Sequence, residues 1–237
     1  MHRFYLPNIQ DWALRGEEAH HCIHVLRMKN GDALTVFDGA GQEAHCAVAS
    51  IESDTVRLRS ISQSRSKPLP CRITLAQAVP KKNMDWIVQK ATELGAAEVV
   101  PLISERTIVQ LDADAPKVDR WRAIALDACK QCGNNWLPVI HPPRKAATFL
   151  QTLPKADLKL IASLQPDARS LRKILAETKS PASVLILIGP EGDFTPAELA
   201  AAKSAGCLPL SLGPLVLRAD TAAVCAMSNL HYELQTD

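Results

Sequence analysis

A small β-rich segment followed by a larger α/β domain is the architecture this sequence predicts, and three observations predict it. Short strand-like runs broken by glycine turns fill the chain up to about residue 70. A polar, proline-bearing tract follows. Beyond it, continuous apolar runs alternate with helical segments, the signature of a mainly parallel sheet covered on both faces. At 237 residues the chain can hold one large domain or two small ones. With 47% hydrophobic and 22% charged residues, disorder, a collagen-like fibre and a coiled-coil rod are excluded. Lys plus Arg number 27 against 25 Asp plus Glu, a net charge of +2. Nucleic-acid binding would therefore need a local basic patch, because no bulk charge supplies it.

The elements follow in order. A helix is expected from about Glu17 to Met28, where His20, Cys22, Ile23, Val25 and Leu26 mix apolar and basic character. Ala33 to Phe37 runs into the turn Asp38-Gly39-Ala40-Gly41, and Glu43 to Ile51 and Thr55 to Arg59 read as further strands of a small barrel or sandwich. The tract from Ser62 to Pro70 cannot bury enough surface to pack and is read as a linker. It divides a domain over 1–68 from one over 72–237. In the second, strands are expected at Ile73–Val79, Glu98–Leu102, Pro138–Ile140, Leu158–Ala162, Val184–Ile188 and Cys207–Leu212. Helices are expected at Met84–Gly95, Val118–Cys132, Ala168–Glu177, Pro196–Ala205 and Asp220–Leu234. Thr195 before Pro196, with Glu198 in the first turn, is a helix start signal, and Gly95 and Gly206 stand where helices should stop.

Ligands of open parallel sheets bind beyond the carboxyl ends of strands. Three such loops stand out: Ser163-Leu164-Gln165-Pro166, Gly189-Pro190-Glu191-Gly192-Asp193-Phe194, and Ser211 to Arg218. Neither glycine turn is a phosphate loop or a dinucleotide fingerprint. Two Gly-Pro turns after two buried strands, the second followed by a lone arginine, form the stronger signal. An always-ionised guanidinium between Leu217 and an apolar helix calls for a partner.

Read together, Leu187-Ile188-Gly189-Pro190-Glu191-Gly192, Leu212-Gly213-Pro214 and Leu217 to Ala222 resemble the cofactor loops of SPOUT methyltransferases. The closest resemblance is to the bacterial 16S ribosomal RNA uridine-N3 methyltransferases (RsmE type). It extends over nearly the whole chain, through Arg3-Phe4-Tyr5, His24 to Arg27, Gly31-Asp32, Val36 to Gly39, Gln89 to Gly95, Ser104-Glu105-Arg106 and Gln131-Cys132-Gly133. The resemblance implies a PUA-like β-barrel, then an α/β SPOUT domain with a C-terminal trefoil knot. It also implies S-adenosyl-L-methionine as cofactor, a homodimer, and 16S rRNA in the small ribosomal subunit as substrate, at a uridine of the decoding region. Five positions depart from the usual pattern: Asp193 replaces a common glycine, Leu215 an arginine, Ala219-Asp220 a Thr-Glu, and Asn134 an arginine after Gly133.

Under this resemblance the cofactor-binding residues are Leu164, Leu187, Ile188, Gly189, Pro190, Glu191, Gly192, Ser211, Leu212, Gly213, Leu217, Arg218, Thr221 and Ala222. Uridine N3 carries an imide proton, so a catalyst must orient it, stabilise a developing anion and accept the proton. Arg218 is assigned to anion stabilisation or phosphate positioning; Glu191, with Asp220 as alternative, is assigned to the proton, the competing role of each carboxylate being to cap a loop or pair with Arg218. Arg3, Arg27, Lys29, Lys81, Lys82 and Arg106 are assigned to RNA phosphates. No metal is required. Cys129 and Cys132 have half of a zinc-site spacing but no second pair, and His20, His21 and His24 read as a basic helix. Met84, Trp86, Ile87 and Val88 read as core or interface. Seven scattered cysteines, no signal-peptide pattern and apolar runs far short of the ~20 residues of a membrane span lead us to expect a soluble cytoplasmic protein. Two rival readings compete with methyl transfer: a nucleotide-binding α/β enzyme, and a non-catalytic RNA-binding or ribosome assembly factor.

Overall fold

A computed structural model describes residues 1–108, 116–178 and 180–235. The Cα positions divide the chain into two units, Met1–Pro68 with Leu126–Leu137, and Leu69–Ala125 with Pro138–Asp237. The division is thus not a single cut at the polar tract: a short later segment packs with the first unit.

In the first unit, β1 (His2–Tyr5), β2 (Ala13–Leu14), β3 (Ala33–Phe37), β4 (Gln42–Glu52) and β5 (Thr55–Arg65) form one sheet in the order β1-β3-β4-β5-β2. Register shifts between His45 and Cys46 and between Val48 and Ser50 bend the long β4–β5 ribbon. Strand β5 absorbs Ser62 to Arg65, which the sequence reads as linker, because Gln42 to His45 supply a pairing partner for this polar stretch. The expected long helix is instead α1 (Gly16–His20), running into a π-helical turn at His21–Val25. Widening the turn rephases the chain. Cys22 and Met28 join a core of Phe4, Leu34, Val36, Cys46 and Val48, while Val25 is left exposed. The later segment docks through backbone: Gly41 N–H donates to Asn135 O and Leu137 N–H to Gly39 O, each at 2.9 Å. Trp136 Nε1 donates to Ser66 Oγ, and Lys130 pairs with Glu18.

The second unit holds β6 (Arg72–Ala78), α2 (Met84–Glu93), β7 (Ala96–Ile103), α3 (Pro116–Cys132), whose last residues belong to the first unit, β8 (Val139–Ile140), β9 (Arg144–Lys145) and α4 (Ala146–Gln151). It continues with β10 (Leu158–Ala162), β11 (Arg169–Ser170), α5 (Leu171–Glu177), β12 (Ser183–Ile188), α6 (Pro196–Ser204), β13 (Leu208–Ser211) and α7 (Ala219–Leu234). The strands pair in the order β11-β13-β10-β12-β6-β7-β8, with β9 also on β7, and every pair is parallel. One face packs Ala76, Leu102, Ile161, Leu185 and Leu187 against Phe149, Phe194 and Leu199. On β6 and β12 lies α7, and α2 packs on α7. Burial on both faces is why these strands read as unbroken apolar runs. Thr195 and Glu198 form a full capping box with Pro196 at the first helical position. Glu198 Oε1 also accepts the Glu105 N–H at 3.0 Å, so the cap ties the loop after β7 to α6. The sequence reading omits β1, β2, β9, β11 and α4, all short elements whose form comes from their neighbours.

At the amino ends of β6 and β7, Glu98 accepts from Arg72 at 2.6 Å and pairs with His141. Burial pushes the Glu98 carboxyl up, but the hydrogen bonds and charges of Arg72 and His141 outweigh it and hold it below the usual range. A carboxyl whose folded-state pKa is depressed adds stability above its unfolded pKa, and that stability is lost as pH falls through the folded value. Wild type should therefore out-melt Glu98→Gln at neutral pH, with the gap shrinking as pH drops below roughly 4. A gap that stays constant into strong acid would show that the ionised carboxylate contributes nothing.

Candidate active site

Strand β10 lies between β12 and β13, in parallel register with both. The loops that leave the carboxyl ends of all three strands therefore emerge side by side. They enclose a cavity of about 330 Å³, a volume suited to one small organic ligand. Ala162, Ile188 and Leu210 from the strand ends and Ala219 and Ala222 from α7 form part of its wall. Ser163 N–H donates to Leu210 O at 3.0 Å and ties the loop after β10 to the end of β13. The serines brace their own turns: Ser163 Oγ accepts Gln165 N–H at 3.1 Å, and Ser211 Oγ accepts Gly213 N–H at 3.4 Å.

The turn after β12 is tight. A Cβ on Gly189 would stand 3.1 Å from Asp193 Oδ1 and 3.2 Å from Phe194 N, so no larger residue fits without moving the loop. Asp193 has φ +58°, a left-handed backbone that favours glycine. Its carboxylate compensates by accepting the Phe194 N–H at 2.7 Å, the local bond that lets Asp occupy a left-handed position.

The two carboxylates assigned to proton transfer are both anchored. Glu191 lines the cavity, and its Oε1 accepts the Lys81 N–H at 2.8 Å. Asp220 Oδ2 accepts from Asn83 Nδ2 at 2.7 Å, and its Oδ1 accepts Thr221 N–H at 2.8 Å. Those bonds, that of Asn83 first, outweigh partial burial and hold Asp220 below the ordinary carboxylate range. A carboxylate so stabilised is a weak base.

Arg218 is the N-cap residue of α7. Contrary to the expectation from sequence, its side chain does not lie close to the core. It is exposed and, among the described residues, makes no ion pair, because it sits just outside the first helical turn and not on the face packed against the sheet.

Of the residues assigned to the cofactor, Leu164, Ile188, Gly189, Pro190, Glu191, Ser211, Leu212, Gly213, Leu217 and Ala222 line the cavity. Four do not. Leu187 is fully buried in the sheet, Gly192 packs on the Arg106 side chain, and Arg218 and Thr221 are exposed beside the wall. Sequence reasoning missed Ser163, Gln165, Ala168, Asp193, Pro214, Leu215 and Val216 on the walls. The signal for most of them was present, since they lie in the same three loops; taking whole turns instead of motif positions would have found them.

The residues assigned to RNA divide in two. Arg3 is a structural brace: its side chain is 15% exposed, pairs with Glu43 and Asn135, and lies over the Phe37 ring. Arg106 donates to Gly192 O and so holds the turn after β12. Lys29, Lys81 and Lys82 are exposed, as is Arg27, which ends the π-helical turn at φ +53°. Cys129 is buried and donates to Trp136 O, and burial pushes its thiol up to about 12, which disfavours the thiolate a metal needs. Among the described residues no helix is long and apolar enough to cross a membrane.

The RNA methyltransferase domain family matches residues 67–231, and the RNA methyltransferase PUA domain family matches residues 14–59. The chain is 32% identical to the ribosomal RNA small subunit methyltransferase E of Bacillus subtilis, over 94% of this chain and 91% of the relative. A crystal structure of a ribosomal RNA small subunit methyltransferase E from Neisseria gonorrhoeae bound to S-adenosyl methionine is 30% identical, with a TM-score of 0.88 over 98% of each chain. A Legionella pneumophila methyltransferase in complex with bound SAM is 35% identical, with a TM-score of 0.88 over 98% of this chain and 97% of that one.

If position 193 is governed by its left-handed backbone, Asp193→Ala should lower stability by about 1 kcal/mol or more, losing the local bond while keeping the strain. Asp193→Gly should stay within about 0.5 kcal/mol of the parent. Urea denaturation of the three proteins distinguishes these outcomes, and equal losses for Ala and Gly would refute the backbone explanation.

Proposed function

The chain belongs to the RNA methyltransferase family whose full-length relatives include the small-subunit ribosomal RNA methyltransferases E, and from that premise we propose that it methylates N3 of a uridine in the decoding region of 16S rRNA on the assembled subunit, with S-adenosyl-L-methionine as donor. The observation that carries the reading is the cavity where the loops after β10, β12 and β13 meet. Among the described residues its walls include two carboxylates, Glu191 and Asp193, and no lysine or arginine. A phosphate-rich nucleotide finds no cation there, which disfavours a nucleotide-binding α/β enzyme. A ligand carrying ammonium and sulfonium charges meets complementary groups. The small residues Gly189, Gly213, Ala219 and Ala222 leave backbone within reach of an adenine edge.

When bound, the donor supplies an electrophilic methyl. The protein must supply the rest. Arg218, exposed beside the wall residues Leu217 and Ala219, stabilises the uracil anion as the N3 proton leaves; its guanidinium cannot itself serve as a base. Glu191 is the proton acceptor. It reaches the cavity wall, and among the described residues only its Oε1 has a hydrogen-bond partner. Asp220, held low by Asn83, is assigned instead to positioning the start of α7, and through it Arg218.

The remaining assignments extend this reading. The first domain, 1–68, is a PUA-like RNA-binding module in which exposed Arg27 and Lys29 meet phosphate. The second, 72–237, is a SPOUT domain whose chain is knotted at the cavity. Support comes from β10 lying between two strands that follow it in sequence, with the 212–217 loop leading back to α7 over β6 and β12. Leu215 and Val216, 74% and 77% exposed at the cavity mouth, favour a homodimer in which a second copy covers them. The protein acts in the cytoplasm and uses no metal.

Mass mapping of small-subunit RNA with and without the protein tests the reaction, and one new methyl on a uracil ring is the expected result. Arg218→Ala should lower methyl transfer on the order of a hundredfold while the thermal shift caused by S-adenosylhomocysteine persists. Turnover equal to wild type would remove Arg218 from the mechanism.

A further inference from the structure

Beside the donor cavity the same unit carries a second hollow, a groove of about 440 Å³ between the start of α2 and the start of α3. Among the described residues its walls carry Lys81, Lys82, Lys117 and Arg120 against the carboxylate of Asp85, an excess of three positive charges. Asp85 is already engaged: Oδ2 accepts from Arg120 Nε at 2.8 Å and Oδ1 from Trp121 Nε1 at 3.0 Å. Among the described residues no carboxylate pairs with the three lysines. Into this basic surrounding α2 presents Trp86. The sequence reading places it in a core or interface, but it is 42% exposed, whereas its neighbours Ile87 and Val88 are fully buried.

The groove is joined to the donor cavity by two bonds already described, Lys81 N–H to Glu191 and Asn83 to Asp220. A polymer whose reacting unit lies between Glu191 and Arg218 would pass its next unit across these residues into the groove. An open aromatic ring among unpaired lysines is the arrangement that binds single-stranded nucleic acid, one part stacking a base and the others meeting phosphate.

We propose that this groove is a flanking-nucleotide site, in which Trp86 stacks a base adjacent to the target uridine while Lys81, Lys82 and Lys117 take the neighbouring phosphates. The inference rests on the RNA-methylation reading and adds to it a residue that positions the substrate. A second copy of the chain is the competing occupant. A two-fold contact centred here would bring two like-charged grooves together, which opposes it.

The test compares wild type, Trp86→Ala, Trp86→Phe and Lys82→Glu with Lys117→Glu. Each is measured for binding of a short single-stranded oligouridylate, for KM and kcat on small-subunit RNA, for the S-adenosylhomocysteine thermal shift, and for mass by light scattering. Trp86→Ala should weaken oligonucleotide binding and raise KM roughly tenfold, with Trp86→Phe recovering most of both. The double charge reversal should reduce the salt dependence of binding by about 0.7 unit of log–log slope per lysine, the single-strand value. The thermal shift should be unchanged throughout. Oligonucleotide binding by Trp86→Ala equal to wild type would overturn the proposal, and so would conversion of a dimer to a monomer by that variant. If wild type transfers no methyl to the RNA yet binds the oligonucleotide through Trp86, the reaction assignment fails and the groove assignment stands.

Discussion

The parallel pairing of β10 with both β12 and β13 is the constraint on which the rest of the site depends. Parallel strands point their carboxyl ends the same way, so three loops distant in sequence are delivered to one place without any loop having to find another. Leu160 pairs with Ile186 on one side and Leu208 on the other, and this register keeps the strand ends level. The turns can then be built from small residues and backbone hydrogen bonds, because the sheet and not the loop sequence holds them together.

Around that cavity the polar groups fall into anchored and free sets, and the difference has a chemical meaning. Glu191 is tied to the Lys81 backbone and Asp220 to Asn83, both from the loop between β6 and α2. Arg106 is spent on Gly192 O, and Glu198 on the cap of α6 and the Glu105 N–H. Each of these bonds holds geometry, while the second oxygen of Glu191 has no hydrogen-bond partner among the described residues. Arg218, Lys81 and Lys82 carry exposed cationic side chains with no ion pair among the described residues. They are the groups still available to an anionic substrate.

The departures from the usual family pattern acquire physical readings in this frame. Asp193 replaces a glycine at a left-handed position and compensates with a bond to the next N–H. At 220 the shorter carboxylate still reaches Asn83. Asn134 caps its own turn, Oδ1 accepting the Trp136 N–H at 2.9 Å. Leu215 places an exposed apolar side chain at the cavity mouth.

What could be read from residues in order was whatever local periodicity and local capping encode. The unbroken apolar runs of β6 and β12 announced a sheet buried on both faces, Thr195-Pro196 with Glu198 announced the start of α6, and the Gly-Pro turns marked the cavity. Interactions between residues far apart in the chain could not be read that way. Arg3 looks like an RNA contact until Glu43 and Asn135, 40 and 132 positions away, close on it. The His21–Val25 turn widens because the first unit's core needs Cys22 and Met28 on one side, a demand no helical pattern in that segment contains. Trp86 belongs to an apolar run by sequence and to a basic groove in space, since Lys117 and Arg120 arrive from another helix. Sequence by itself determined the longer elements of the second unit and the three loops; the tertiary structure decided the short elements, and which charges are neutralised by distant partners and which remain free, because these depend on through-space distances that neighbouring residues do not specify.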